Sequence, residues 1–260
     1  MIKRFATVVG GIGLAGALTL AACGSGQDPP TSKIFVAPPW NGPERAVYDV
    51  VDEGGKLYGI CELVTEPGAQ TTTVRRLCID GDQIGYRDDG MAVVDSQTLL
   101  PIQSERVQVD LDEREHRTMI GRYESGEAIL SRQDVDLDDP SEVLVEVSTD
   151  RPLPEPDERS PEPGYYDDES LYWLMRGIPL EEGWEGAYHN VNLGTARIVV
   201  AEVKVEDRET VEVPAGEFEA WRIRLRTASI TQRFWVEVDS PNRLIQADIE
   251  RVTYMLRSFE

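Results

Sequence analysis

The sequence is poor in the residues that most often carry chemistry. Its 260 residues include two histidines, three cysteines and four lysines. Nucleophilic catalysis needs a serine or cysteine beside a base, yet no Gly-x-Ser-x-Gly elbow is present. His116 sits in the charged run Glu113–Arg117, where a solvated turn is the simpler reading. His189, in Tyr188-His189-Asn190 and close to Trp184, reads as a surface or strand-edge residue. No catalytic constellation emerges and no cofactor is implied, so the chain reads as a non-enzyme, with an unrecognised hydrolase as the remote alternative.

Positive charge is scarce as well. Against 26 basic residues stand 48 acidic ones, a net charge of -22, which repels a polyanion at long range and excludes nucleic acid as a partner. With so many acids, neighbouring carboxylates arise by chance, and the paired carboxylates of glycoside chemistry cannot be singled out. Asp134-Val135-Asp136-Leu137-Asp138-Asp139 spaces its oxygens like a calcium loop. However, Asp139 stands where that loop needs glycine, and Val145 where it needs a bidentate glutamate. No metal site is assigned. The 40% hydrophobic content still permits a packed core, so wholesale disorder is excluded.

What the chain does have begins at its N-terminus. Met1–Arg4 carries two positive charges, and Phe5–Ala22 is an uncharged run rich in Ala, Gly, Val and Leu, the layout of an export signal. It ends in Leu20-Ala21-Ala22-Cys23, which resembles the bacterial lipobox, in which the cysteine thiol takes a diacylglycerol and becomes the new first residue. The alternative is a membrane-spanning anchor, for which this run is short and glycine-weakened. Residues 1–22 are thus expected to be a lipoprotein signal peptide and Cys23 the lipidated residue. The mature chain would carry a net charge of -24, which an anionic bilayer repels, so attachment to the membrane falls to the lipid. The expected location is extracytoplasmic, on either the cytoplasmic-membrane outer face or the outer membrane.

Export also governs Cys61 and Cys78. Outside the reducing cytosol an even pair normally bonds. The β-like runs Leu57–Thr65 and Thr71–Ile79 fold about Glu66-Pro67-Gly68-Ala69-Gln70 so that the two cysteines come out approximately opposite each other. A cross-strand disulfide is expected, the alternative being two free buried thiols.

Residues 23–43 hold five prolines and no apolar periodicity, and read as a flexible, lipid-anchored tether. A single β domain is expected over 44–256. Its first half shows runs of four to eight residues at roughly ten-residue spacing, the pattern of antiparallel sheet in a sandwich or barrel. Residues 134–164, acidic and proline-rich, read as a long loop with one strand-like piece at Val143–Val147. One helix follows, capped by Asp167 or Asp168, carrying Leu171, Leu174 and Met175 on one stripe and ending at Gly177 before Pro179. In Trp221-Arg222-Ile223-Arg224-Leu225-Arg226 the alternation is complete, giving one buried and one wet face.

Three motifs occur in order: Ser96-Gln97-Thr98-Leu99-Leu100-Pro101 after an apolar strand, Asp167–Leu180 around the helix, and Glu209–Trp221 with Pro214-Ala215-Gly216 at its turn. Together they resemble the bacterial envelope family known as domain of unknown function 3108, over roughly residues 45–250. The resemblance implies a mainly β fold, a strongly curved antiparallel sheet or incomplete β-barrel of the lipoprotein-carrier type with one short helix at its mouth. It supplies no catalytic residue. The cysteine hairpin and the acidic segment depart from the family pattern.

Tyr172 and the set Trp173, Trp184, Tyr188, Trp221 and Trp235 cluster around the helix and the C-terminal strands. These five are the candidate ligand-binding residues, able to line an apolar pocket for a small molecule or lipid, with core packing as the plain alternative. The leading reading is a non-catalytic binding module with an apolar ligand on its concave face, and the alternative is an envelope scaffold whose acidic loop docks a basic partner.

Overall fold

A computed structural model describes residues 28–80, 86–228 and 230–260. The expected signal peptide over 1–22 and the lipidation site Cys23 lie outside the described residues. The first eight strands are β1 (Glu44–Asp52), β2 (Leu57–Pro67), β3 (Thr71–Asp80), β4 (Tyr86–Asp95), β5 (Pro101–Asp110), β6 (Glu115–Glu124), β7 (Glu127–Asp136) and β8 (Val143–Pro152). A short strand β9 (Tyr165–Asp167), one 3-10 turn (Asp168–Ser170) and helix α1 (Leu171–Arg176) follow. The chain ends with β10 (Glu185–Asn192), β11 (Arg197–Val213), β12 (Gly216–Arg226), β13 (Thr231–Glu237), β14 (Leu244–Ile249) and β15 (Val252–Phe259).

All fifteen strands form one sheet. β1 to β8 are laid down as a meander, the chain crosses to the opposite edge at β9, and β10 to β15 return as a second meander whose last strand pairs with β1. Every pairing is antiparallel except β9 with β10. The sheet does not close, since β8 and β9 are its two ends. This is the expected incomplete barrel. No described helix is long and apolar enough to cross a membrane.

Alternation drives the curvature and the core. Ala46, Tyr48 and Val50 of β1, Cys61 and Leu63 of β2, Val203 and Val205 of β11, and Trp221, Ile223 and Leu225 of β12 are buried. On the other face of β12, Arg222 and Arg224 reach Glu206 at 2.8 and 3.3 Å. The concave side is filled by α1, whose six residues are all buried, the mark of a helix surrounded by protein. A second cluster of Met119, Ala128, Leu130, Leu153, Val191 and Leu193 draws β6 and β7 against the end of β10.

Two expectations are corrected. Over its described part the tether is a docked strap: Thr31, Ile34, Phe35 and Trp40 are buried. Ser32 N–H donates to Ala187 O at 2.8 Å, Ile34 N–H to the Tyr166 hydroxyl at 3.1 Å and Val36 N–H to Gly177 O at 2.8 Å. Three large side chains among prolines bury enough apolar area to fix a segment with no regular structure of its own. The segment 134–164 is likewise not one long loop, since thirteen of its 31 residues are strand. β7 runs through Asp136 and β8 takes Val143–Pro152, leaving 137–142 and 153–164 as irregular chain. Pro152 is tolerated because it ends an edge strand, Pro140 lies in the turn before that strand, and the other prolines lie beyond it.

Candidate functional site

The disulfide joins Cys61 to Cys78, directly opposed residues of β2 and β3, with Cα atoms 4.1 Å apart. The aromatic set behaves differently from expectation. Trp173, on α1, is 1% exposed and its indole N–H donates to Thr65 Oγ1 at 2.7 Å. Tyr188 is fully buried against Tyr166, ring centroids 5.4 Å apart. Trp221 lies under the Arg208 guanidinium, 4.1 Å from the ring centroid. Trp235 pairs in register with Arg222, one residue off the Trp221–Val236 pair, so it occupies the opposite face of the sheet, where its N–H donates to Glu209. Trp184 is half-buried, with its ring over Gly186.

These five residues therefore do not line one pocket. Their rings are used up filling the concave space and covering the sheet. The cavity beside Trp173, lined also by Tyr48, Leu63 and Tyr172, measures about 10 Å³, room for about one water molecule. A cleft of about 250 Å³ lies on the outside, lined by Pro29, Pro30, Gly186, Val203, Arg224 and Arg226. It is flanked by the Lys204–Glu185 ion pair at 2.6 Å and suits no wholly apolar ligand.

What sequence reasoning missed is a buried charge cluster under the helix. The residues read only as its cap, Asp167 and Asp168, together with Glu169, point into the concave face of β3 to β6. Glu169 meets Arg76 at 3.3 Å and Arg106 at 3.7 Å. Asp88 accepts from Arg76 at 3.0 Å and from Arg106 at 2.9 and 2.7 Å. Asp167 accepts from Ser104 at 2.7 Å, from the Tyr123 hydroxyl and from Glu169 N–H at 2.8 Å. Asp168 accepts from Asn192 at 3.0 Å and from Leu193 N–H at 3.1 Å.

Four carboxyls face two guanidiniums in a nearly dry space, and they divide accordingly. The desolvation of Asp88 is overcome by Arg76 and Arg106, which hold it down to about 2. Burial, with Asp167 and Glu169 alongside, pushes Asp168 well above the usual carboxylate range and favours its neutral form, and burial raises Asp167 and Glu169 as well. A carboxyl kept neutral can donate a proton, but here its partners are protein atoms. The arrangement clamps the helix into the half-barrel. The signal available in the sequence was polar residues at inward strand positions, Asp88, Ser104 and Arg106, where apolar ones would be expected.

The acid-rich segment splits by role. The Asp134 carboxylate is turned to Arg132 and to Arg117, 3.2 Å away from the latter. Asp136 Oδ1 accepts from Asp138 and Asp139 N–H at 2.8 and 3.0 Å, closing the β7–β8 turn. β8 itself is open: Val143, Leu144 and Val147 are 47%, 49% and 49% exposed. The two histidines stand apart, His116 on β6 opposite Val109 and Val135 and His189 half-buried on β10. Burial lowers the His189 imidazole below its ordinary value.

This geometry defines a class: incomplete antiparallel β-barrels plugged by a short helix. Within it, the chain belongs to the family described as protein of unknown function DUF3108, whose model matches residues 80–256, more than half of the chain. No curated protein sequence matches it. Among solved structures, a β-barrel-like protein of domain of unknown function DUF1849 from Brucella abortus is similar at TM-score 0.53 and 10% identity, over 88% of this chain and 98% of that one. That likeness is one of fold. A protein provisionally described as a lipoprotein from Parabacteroides distasonis aligns over 90% of this chain and 100% of its own, at 14% identity and TM-score 0.29.

Proposed function

We propose that the chain is an exported, lipid-anchored envelope protein without catalytic activity that works as an interaction module, docking a basic partner through the acidic surface between residues 134 and 164. Export and anchoring rest on Met1–Arg4, the uncharged Phe5–Ala22 and the Leu20-Ala21-Ala22-Cys23 ending. The Cys61–Cys78 bridge suits an oxidising compartment.

The observation that supports docking is an ordered, ten-residue edge strand with exposed acids at both of its ends, Asp138, Asp139 and Glu142 before it and Glu155, Asp157 and Glu158 after it. An apolar ligand on the concave face would have to displace α1 together with its buried charges. The carrier reading is therefore the weaker of the two.

Two measurements test the proposal. The mass of the mature protein from membranes should show an N-terminal Cys23 bearing acyl groups; an unmodified thiol behind an intact leader would reject the anchor. A photoreactive residue at Glu146 should cross-link a basic polypeptide in cells, and the cross-link should vanish when the six flanking acids become Asn or Gln. Cross-links indifferent to that change would reject docking, and a lipid retained in native mass spectrometry would favour the carrier instead.

A further inference from the structure

Among the described residues β8 pairs with β7 alone, so its other side presents unpaired backbone donors and acceptors. An edge of this kind is a template for another strand unless it is short, twisted away or covered. β8 is ten residues long, about twice a typical strand, and it is exposed on both faces.

Its side chains sort by parity. Val145, Val147 and Thr149 share one face and Glu146, Ser148 and Asp150 the other, an alternation that begins after the bulge at Leu144. Strand partners placed directly opposite each other share a face. A strand added to β8 would therefore lay one set of residues beside valines and the alternate set beside Glu146 and Asp150. The one basic residue on the strand, Arg151, is turned away to Ala196 O at 3.1 Å, and the acids beyond each end extend the same negative field.

A second copy of this chain is a poor occupant. It would bring the same acids against themselves at a net charge of -22. We infer that β8 accepts an extended cationic polypeptide segment, alternating basic and apolar residues, by β-strand addition. This rests on the docking reading above and gives it a mode: main-chain hydrogen bonds supply affinity, and alternation supplies choice.

The register shows which backbone groups do the work. Leu153 N–H donates to Gly126 O across the β7–β8 ladder at 2.8 Å, so alternate residues Arg151, Thr149 and Val147 turn inward, while Asp150, Ser148 and Glu146 offer their N–H groups outward. Proline at 148 removes an outward donor and leaves the ladder to β7 intact.

The test uses the mature protein and a fluorescent ten-residue peptide of alternating lysine and valine, read by anisotropy, with an alternating glutamate and valine peptide as control. Wild type should bind the cationic peptide only. Ser148→Pro should weaken binding by about tenfold or more with an unchanged melting curve. Amide exchange, followed on wild type alone, should slow at Glu146, Ser148 and Asp150 on peptide addition. Equal binding by Ser148→Pro without new amide protection, but lost on neutralising the flanking acids, would overturn strand addition and leave acidic docking standing. No binding to wild type, or binding that survives neutralisation, would overturn both. A wild-type dimer that excludes the peptide and slows the same amides would assign the edge to a second copy and overturn the proposal.

Discussion

A side chain at Gly90 would collide with the Glu169 carboxylate, so the bare backbone of β4 is what lets the plug seat its acid between Arg76 and Arg106. The constraint is steric, because the neighbours are the carboxylate itself and, at 3.2 Å, Arg76 Nη2, all within a buried cluster. Gly90→Ala should therefore destabilise the fold by about 1–3 kcal/mol, the usual cost of overpacking. A urea midpoint equal to that of wild type would show that the clamp yields freely.

The clamp also predicts an asymmetry among its charges. Arg76→Met leaves Asp88 and Glu169 with Arg106 alone, in a space too dry to solvate the excess. Breaking a buried pair from one side costs about 3–5 kcal/mol. Arg222→Met, which removes a guanidinium bound to Glu206 and Asp207 on the outer face, should cost about 1 kcal/mol or less. Chemical denaturation of the two variants side by side checks the ordering; equal losses would place the buried cluster on a par with surface pairs.

The strands, the single helix and the opposed cysteines were legible because each leaves a local pattern: alternation of period two, an aspartate before an apolar stripe with Gly177 behind it, and a hairpin turn midway between Cys61 and Cys78. The Pro214-Ala215-Gly216 turn likewise shows its glycine at φ +133. The clamp was not legible, since Arg76 and Glu169 are 93 residues apart and their pairing depends on the sheet curling round the helix. The strap was invisible for a different reason. Ile34, Phe35 and Trp40 are buried without any repeating backbone, and proline-rich composition argued the other way. Of the aromatic set only Trp173 stands on the helix, and composition cannot tell rings that line a space from rings that fill it.

The strap makes a prediction against a flexible tether. The Phe35 ring sits where a Gly177 side chain would stand, and the segment is tied to β10 and α1 by backbone hydrogen bonds. Phe35→Ala should cost about 3 kcal/mol and should open residues 31–40 to proteolysis while the sheet stays intact. Rapid cleavage of wild type within 31–40 would refute the docked strap.

Removing the bridge acts chiefly on the unfolded chain. Cys61 and Cys78 are 17 residues apart, and releasing that loop as Cys61→Ala with Cys78→Ala should lower stability by about 3 kcal/mol in the chain-entropy account. Because the cysteines are held in register by nine ladder pairs of β2 and β3, the native amide-exchange pattern of that hairpin should persist at low denaturant. A hairpin that loses protection when the bridge is removed would mean the covalent link, and not the ladder, sets the register.

The cluster gives stability a pH profile with two limbs. Asp88, held down to about 2 by its two arginines, contributes stability that is present above its ordinary value and is lost as pH falls toward 2, about 2 kcal/mol in all. Asp168 works in the opposite sense. Its folded value is raised by burial and by Asp167 and Glu169, so the folded state keeps a proton that the unfolded chain releases above about pH 4, and stability declines as pH rises from there. The group is enclosed by Tyr123 and Arg106 from the sheet, by Asn192 from β10 and by Asp167 and Glu169 beside it, and burial raises those two carboxyls as well. Asp168→Asn should therefore reduce the slope of the limb above about pH 4 without abolishing it, because Asp167 and Glu169 act in the same sense, and leave the acid limb unchanged. Urea titrations across pH read both limbs at once, and an unaltered slope above about pH 4 in the variant would mean that Asp168 is ionised in the folded protein.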